Sequence, residues 1–377
     1  MIIGVPKEIK NHEYRVGLTP AAAREFISNG HKVFVQTNAG AEIGFPDSAY
    51  LLMGATILDS AQEVFAEADM IIKVKEPQVC ECNMLRPEQI LYTYLHLAPD
   101  PMQTQLLVES EATCIAYETV TDSNGGLPLL APMSEVAGRM SVQAGAYFLE
   151  KAHGGSGTLL GGVPGVAPGE VLVIGGGVVG TNAAKMALGI GANVTILDRS
   201  LTRLRQLDDI FTGRVNTVYS TEDAIEHYSS STDLLVGAVL IPGAEAPKLL
   251  RKKHIKHMKK GSVVVDVAID QGGCFETSRA TTHQDPVYVI NDVVHYCVAN
   301  MPGGVARTST IALNNATLPF GLQIANKGIK RAMMENEHLL NGLNVHKANI
   351  TYKAVMDSLS ANLNLRYQTA DVALGIK

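Results

Sequence analysis

Val171-Leu172-Val173-Ile174-Gly175-Gly176-Gly177-Val178-Val179-Gly180 is the stretch whose reading decides the fold. An apolar, β-branched run meets a G-x-G-x-x-G turn, and Thr181–Leu188 continues with helix-like composition. A glycine-rich turn alone also arises for purely structural reasons; following a strand and opening a helix, it has the context that dinucleotide binding requires. Gly175 permits the tight turn, Gly177 lets backbone approach a pyrophosphate, and Gly180 lets helix and strand pack closely. The anion then meets free N–H groups and the positive end of the helix dipole.

The next strand, Val194-Thr195-Ile196-Leu197, ends at Asp198, 18 residues beyond Gly180. A carboxylate there accepts hydrogen bonds from both ribose hydroxyls and repels a 2′-phosphate, so NAD is expected over NADP. Arg199 and Arg203 stand ready to neutralise a phosphate if Asp198 turns away, and the plainer role for Asp198 is a cap on the following helix.

Outward from this motif, strands and helices alternate through the whole chain. Downstream, strands are expected at Val171–Ile174, Asn193–Leu197, Val215–Tyr219, Leu234–Ala238, Ser262–Val267 and Val287–Ile290. Upstream, they are expected at Ile2–Val5, Lys32–Gln36, Met70–Val74, Ile90–Leu95 and Thr113–Ala116, with a helix at Thr19–Asn29 that has Thr19 as N-cap and Pro20 at its first position. Between the two series lie a connector helix, Ser134–Lys151, and a glycine-rich approach, Gly154 to Gly169. Past Pro302-Gly303-Gly304 the pattern turns helical to about Leu340, with Ile311, Leu318, Leu322 and Ile329 expected to line one face.

The expected fold class is therefore α/β, with two doubly wound domains joined by long helices. One is a Rossmann NAD-binding domain at 131–305. The other is a discontinuous substrate domain, 1–130, completed by C-terminal helices at 306–377; a separate helical cap is the alternative.

Composition excludes several classes. The 377 residues are 46% apolar and 18% charged, an ordinary globular balance. A formal charge of −6 argues against nucleic acid. The one basic run, Arg251 to Lys260, reads as a solvated helix face, and His254 and His257 within it read as surface residues rather than metal ligands. Five cysteines form no CxxC pair, which suits reduced thiols and neither disulfides nor zinc; no metal is expected. The early Pro6 and charges leave no signal peptide, and no long apolar run suggests a membrane span, so a cytoplasmic location is expected.

Ligands of open parallel sheets bind beyond the carboxyl ends of the strands, and three polar residues stand there: Lys75, His96 and Asp270. An interdomain cleft would bring them together. Singly, each has an ordinary role as an exposed strand-end charge, a half-buried histidine or a turn cap. Their common placement favours chemistry. Asp266, set among valines, reads instead as a structural acceptor for nearby backbone. Oxidising an amino acid leaves an imine that water attacks, and histidine supplies an acid–base group that titrates near neutrality. A lysine holds a carboxylate or polarises a carbonyl, and Arg15 grips a carboxylate bidentately. The residues alone fit a 2-hydroxy acid as well as an amino acid.

Gly4-Val-Pro-Lys-Glu8, Glu13-Tyr-Arg-Val16, Lys73-Val-Lys-Glu-Pro77, Tyr94-Leu-His-Leu-Ala98, the glycine turn and Val298-Ala-Asn-Met-Pro302 together carry a resemblance that covers nearly the whole chain. The sequence resembles the alanine dehydrogenase family and its relative, the NAD-binding subunit of proton-translocating transhydrogenase. The resemblance implies reversible conversion of L-alanine and NAD to pyruvate, ammonia and NADH, by a homohexamer. It implies that Arg15 and Lys75 bind substrate and that His96 and Asp270 are the acid–base pair. It implies cofactor contacts at Ser134, Gly175, Gly177, Val178, Val179, Gly180, Asp198, Arg203, Ser220, Val239–Leu240, Ala268–Ile269, Asp270, Arg279, Asn300 and Met301. Two rivals are a transhydrogenase subunit that only docks NAD(H) and a saccharopine-type enzyme. The first carries an Arg, Gln and Asp trio in its cofactor-facing loop, absent from Pro132–Gly138 here; the second needs a larger pocket.

Overall fold

The computed structural model describes residues 1–239, 246–359 and 365–376. The chain forms two compact units, Met1–Pro132 with Val305–Lys377, and Met133–Gly304. Each is a mixed α/β layer structure around a largely parallel sheet, so the expected fold class holds.

The first unit opens with β1 (Ile2–Val5), β2 (Lys32–Gln36), β3 (Thr56–Leu58), β4 (Met70–Ile72), β5 (Ile90–Thr93) and β6 (Thr113–Ala116). The second unit holds β7 (Glu170–Ile174), β8 (Asn193–Asp198), β9 (Asn216–Tyr219), β10 (Leu234–Gly237), β11 (Val263–Asp266), β12 (Val287–Ile290) and β13 (Val293–Tyr296). The returning chain adds β14 (Leu343–His346) and β15 (Asn349–Ile350) to the first sheet. Among the described residues the sheets run β15-β14-β6-β5-β4-β1-β2-β3 and β12-β13-β11-β10-β7-β8-β9. Apart from β12 and the returning pair β14 and β15, every neighbour pairs in parallel, with Ile72 beside Tyr92 and Ile174 beside Leu197.

Buried strands on both faces explain the near-continuous apolar runs. β4, β5 and β6 are buried at every position, as are β10, β11 and β13. The helix Pro20–Ser28 starts as its sequence dictates: Thr19 accepts from the Ala22 N–H and Pro20 occupies the first turn. Asp266 is the structural acceptor expected. Its carboxylate receives the N–H groups of Ala268, Cys274 and Phe275 and the Ser278 hydroxyl, so a fully buried charge is well satisfied.

Four expectations need correction. The connector helix runs Ala131–Phe148 rather than Ser134–Lys151, because the chain tightens into a 3₁₀ turn at Lys151–His153. The C-terminal helix breaks at Gly328 and Asn336, giving Ala306–Lys327, Ile329–Glu335 and Glu337–Leu340. Its buried face is not the stripe Ile311, Leu318, Leu322 and Ile329; Ser309, Thr310, Leu313, Asn314 and Thr317 face inward instead. The reason is hydrogen bonding: Thr310 accepts from the Val16 N–H, and Asn314 accepts from Thr19 and donates to the Gly17 carbonyl. Finally, the basic run is a six-residue helix, Lys252–His257, in which His254 is buried and receives the Arg251 N–H.

Among the described residues no helix is long and apolar enough to cross a membrane. Among the same residues, no group of three or more His, Cys, Asp or Glu side chains is placed to hold a metal ion. All five cysteines are free thiols.

Candidate functional site

In the second unit β7 passes into the glycine turn and the helix Val178–Gly189. Gly175 has φ +101°, the left-handed region that glycine tolerates. A Cβ at Gly180 would sit 1.8 Å from the Gly175 carbonyl oxygen, so the helix closes onto the turn only without a side chain. A Cβ at Gly177 would meet nothing within 4 Å. That open face, at the N-terminus of a 12-residue helix, is a cradle for an anion that a side chain would fill. Val178 is exposed beside it, whereas Val179 is buried in the sheet–helix core.

Asp198 closes β8. Its Oδ2 accepts from the Gly176 N–H at 2.7 Å and its Oδ1 from the Ser200 N–H at 2.8 Å. Both the turn and the start of the next helix are thus tied to one carboxylate, and its remaining lone pairs are left for hydroxyl donors. Arg203 lies across the same turn, donating to the Gly176 carbonyl at 2.7 Å and to Thr181 Oγ1 at 2.8 Å. Beside it a cavity of about 210 Å³ is walled by Ile174, Leu197, Val239 and Leu249 and edged by Asp198, Arg199 and Ser220. Apolar walls with a carboxylate at the rim suit a flat heterocycle carrying a diol. The glycine cradle, the carboxylate and this cavity together fit the adenosine and pyrophosphate of NAD. Leu240 lies outside the described residues.

Further along the sheet, Ala268 and Ile269 are buried at the end of β11, and Asp270 follows them in a 3₁₀ turn, exposed. Asp270 Oδ1 accepts from the Asn300 N–H at 3.2 Å. Asn300 has φ +60°, and its carbonyl meets His283 Nε2 at 3.1 Å, so the loop entering Met301 is held beside Asp270. Met301 is buried. Arg279 is exposed with its guanidinium 4.1 Å from the Tyr288 ring centroid, and Ser134 is half-buried on the helix Ala131–Phe148.

In the first unit Lys75 and His96 follow the adjacent parallel strands β4 and β5. The link continues past the strands, where the Thr93 hydroxyl donates to the Lys75 carbonyl. His96 has φ +49°, a side chain 44% exposed, and its ring lies parallel to Tyr94, with centroids 5.8 Å apart. Lys75 is largely buried, its ammonium 3.6 Å from Glu76 Oε2. Burial works to raise the Glu76 pKa, but Lys75 and Lys10 outweigh it and His96 adds to their pull, holding the carboxyl below its ordinary value.

Arg15 is 2% exposed, and its Nε and Nη2 donate to the two Glu13 oxygens at 2.6 and 2.5 Å. Burial opposes the guanidinium charge and Glu13 more than offsets this. The side expected to grip a substrate carboxylate with both arms of the fork therefore already carries a carboxylate. Sequence reasoning named Arg15 and passed over Glu13, though both stand in one quoted motif. It also passed over Glu8, whose Oε1 takes the Val74 and Lys75 N–H groups and whose Oε2 pairs with buried Lys73, itself paired with Glu81. Glu118 escaped notice in the same way, although it lies two residues past the end of β6 as Lys75 and His96 lie past theirs.

Known proteins place this architecture. The model of the alanine dehydrogenase/PNT N-terminal domain matches residues 4–137, and that of the C-terminal domain matches 141–353. The chain is 59% identical over 358 residues to an alanine dehydrogenase of Halomonas elongata, covering 95% of this chain and 96% of that one. It is 56% identical over 375 residues to an alanine dehydrogenase of Methanococcus maripaludis, covering 99% and 100%. A solved L-alanine dehydrogenase superimposes with a TM-score of 0.93 at 50% identity, covering 96% of this chain and 99% of that one. A transhydrogenase from Sinorhizobium meliloti shares the fold, with a TM-score of 0.81 at 22% identity over 94% and 100% of the two chains. With both domain models matched in order and identity above half across nearly its whole length, the chain belongs to the alanine dehydrogenase/PNT family.

Proposed function

We propose that the chain is an NAD-dependent L-alanine dehydrogenase, which converts L-alanine, NAD and water to pyruvate, ammonium and NADH. The observation that carries this reading is identity of 53–59% across almost the full length to proteins of that name. The transhydrogenase likeness, at 22%, speaks only for the fold.

In this reading Gly175, Gly177, Gly180 and Asp198 hold the dinucleotide, with Ser134, Val178, Val179, Arg203, Ser220, Val239, Leu240, Ala268, Ile269, Arg279, Asn300 and Met301 as further contacts. Bound NAD supplies a hydride acceptor. Lys75 holds the substrate carboxylate or carbonyl, and Arg15, turned by Glu13, adds positive charge. His96 takes the proton from water as it adds to the imine carbon, and Asp270 shares the proton traffic, placed by the Asn300 N–H. A homohexamer in the cytoplasm, acting on alanine, pyruvate and ammonia, completes the proposal.

The test is steady-state turnover of purified protein with NAD and a panel of L-amino and 2-hydroxy acids. L-alanine is expected to lead the panel, with pyruvate plus ammonium driving the reverse reaction. Turnover confined to hydroxy acids, or tight NADH binding without turnover, overturns it.

A further inference from the structure

β4 and β5 end in the same device. The N–H groups just past each strand run into a carboxylate that lies just past its other neighbour. Glu8, three residues beyond β1, takes the N–H groups of Val74 and Lys75 at 2.7 and 3.2 Å, and β1 pairs with β4. Glu118, two residues beyond β6, takes those of Leu95 and His96 at 3.1 and 2.7 Å, and β6 pairs with β5. Glu118 does more than end a strand. The same Oε1 lies 3.9 Å from His96 Nδ1, and its side chain is 18% exposed. His96 holds a left-handed backbone, φ +49°, which costs a non-glycine residue free energy and persists only where surrounding bonds enforce it. The enforcing bond is the 2.7 Å contact to Glu118. The ring also lies parallel to that of Tyr94, whose hydroxyl donates to the Leu129 carbonyl at 2.6 Å.

We infer that Glu118 is the positioning residue for His96: one carboxylate sets the backbone that places the ring and faces Nδ1, so that Nε2 is the nitrogen that exchanges protons with substrate. The inference rests on His96 being the acid–base group. A largely buried carboxylate facing the far nitrogen orients the ring for the step that makes it an imidazolium. That cation forms when water's oxygen bonds the carbon of the iminium, the C=N π pair moves to nitrogen, and the water proton passes to Nε2. Among the described residues, the groups with titratable or charged character that face His96 are Glu118, Glu76 past the end of β4, and the Tyr94 phenol just past β5. Glu76 is engaged by Lys10 and Lys75, whereas Glu118 has no cationic side chain against it among the described residues other than His96.

Glu118→Gln separates charge from scaffold, since an amide oxygen still accepts from Leu95 and His96. The variant is expected to fold with wild-type thermal stability and NADH affinity. Its kcat with L-alanine should fall by about tenfold to a hundredfold. The loss should fall on kcat, with KM for NAD at the wild-type value. In a His96→Ala background the same substitution should add nothing to the loss in kcat. Wild-type kcat in Glu118→Gln overturns the inference, as does an undiminished effect without His96. Near-normal turnover in His96→Ala alone would instead remove His96 from the reaction, a separate failure.

Discussion

The Asp198 carboxylate accepts the Gly176 N–H at 2.7 Å, so the acid at the end of β8 and the glycine turn at the end of β7 are one unit. This relationship changes what a substitution there does. Asp198→Ala removes the ribose acceptor and also frees the turn, so it should weaken NAD by about tenfold to a hundredfold, the worth of a charged hydrogen bond. Asp198→Asn keeps an acceptor for Gly176 and should chiefly narrow the preference for NAD over NADP. Steady-state KM values for both cofactors check this; an unchanged preference in both variants places ribose recognition elsewhere.

The glycine turn offers a cleaner separation. Gly177→Ala adds a methyl group into open space at φ −66°, so thermal stability should stay at the wild-type level while NADH affinity falls. Gly180→Ala drives a Cβ to 1.8 Å from the Gly175 carbonyl, so stability should fall by roughly 1–3 kcal/mol together with affinity. Thermal melts with and without NADH distinguish the pair. Equal melts and equal affinities for both variants would contradict the assigned roles.

His96→Ala should lower turnover with L-alanine by about two to four decades while NADH still binds, the usual contribution of a positioned acid–base group. Fluorescence titration of NADH beside kcat measures both quantities at once.

Three buried histidines, His254, His295 and His346, give the fold a pH dependence, each with its pKa lowered by burial. Burial lowers the pKa of His295, which sits between Thr277 and the Val293 carbonyl, and of His346 against Thr113. The unfolded chain takes up their protons near 6.5, and the folded chain only at lower pH. Stability linked to these groups is thus present above 6.5 and lost progressively as pH falls below it. Melting temperature should drop across that window, and a His295→Gln variant should show a shallower drop.

Much of this architecture is legible in the sequence. β7, the turn and β8 announce themselves because a fully buried parallel strand must be apolar and a phosphate turn must lack side chains. The residues that follow strands, Lys75, His96 and Asp270, are visible for the same reason: strand ends can be counted. What stays hidden depends on contacts distant in sequence. β14 pairs with β6 across some 230 residues, Leu343 beside Ile115, and its four residues carry no local pattern strong enough to stand out from a helical tail. β3 is three partly exposed residues at a sheet edge. The buried face of Ala306–Lys327 is polar because it bonds the loop of Val16 to Thr19, and hydrophobic periodicity is blind to that. Glu13, Glu8 and Glu118 were passed over because a carboxylate's partner cannot be read from its own neighbourhood.

The most direct measurement follows the α-hydrogen. Purified protein is given NAD and L-alanine deuterated at the α-carbon, and the nicotinamide product is examined by mass spectrometry and NMR. The account predicts one deuterium on the reduced nicotinamide ring for each pyruvate and ammonium formed. Reduced cofactor without label, or no pyruvate at all, contradicts it.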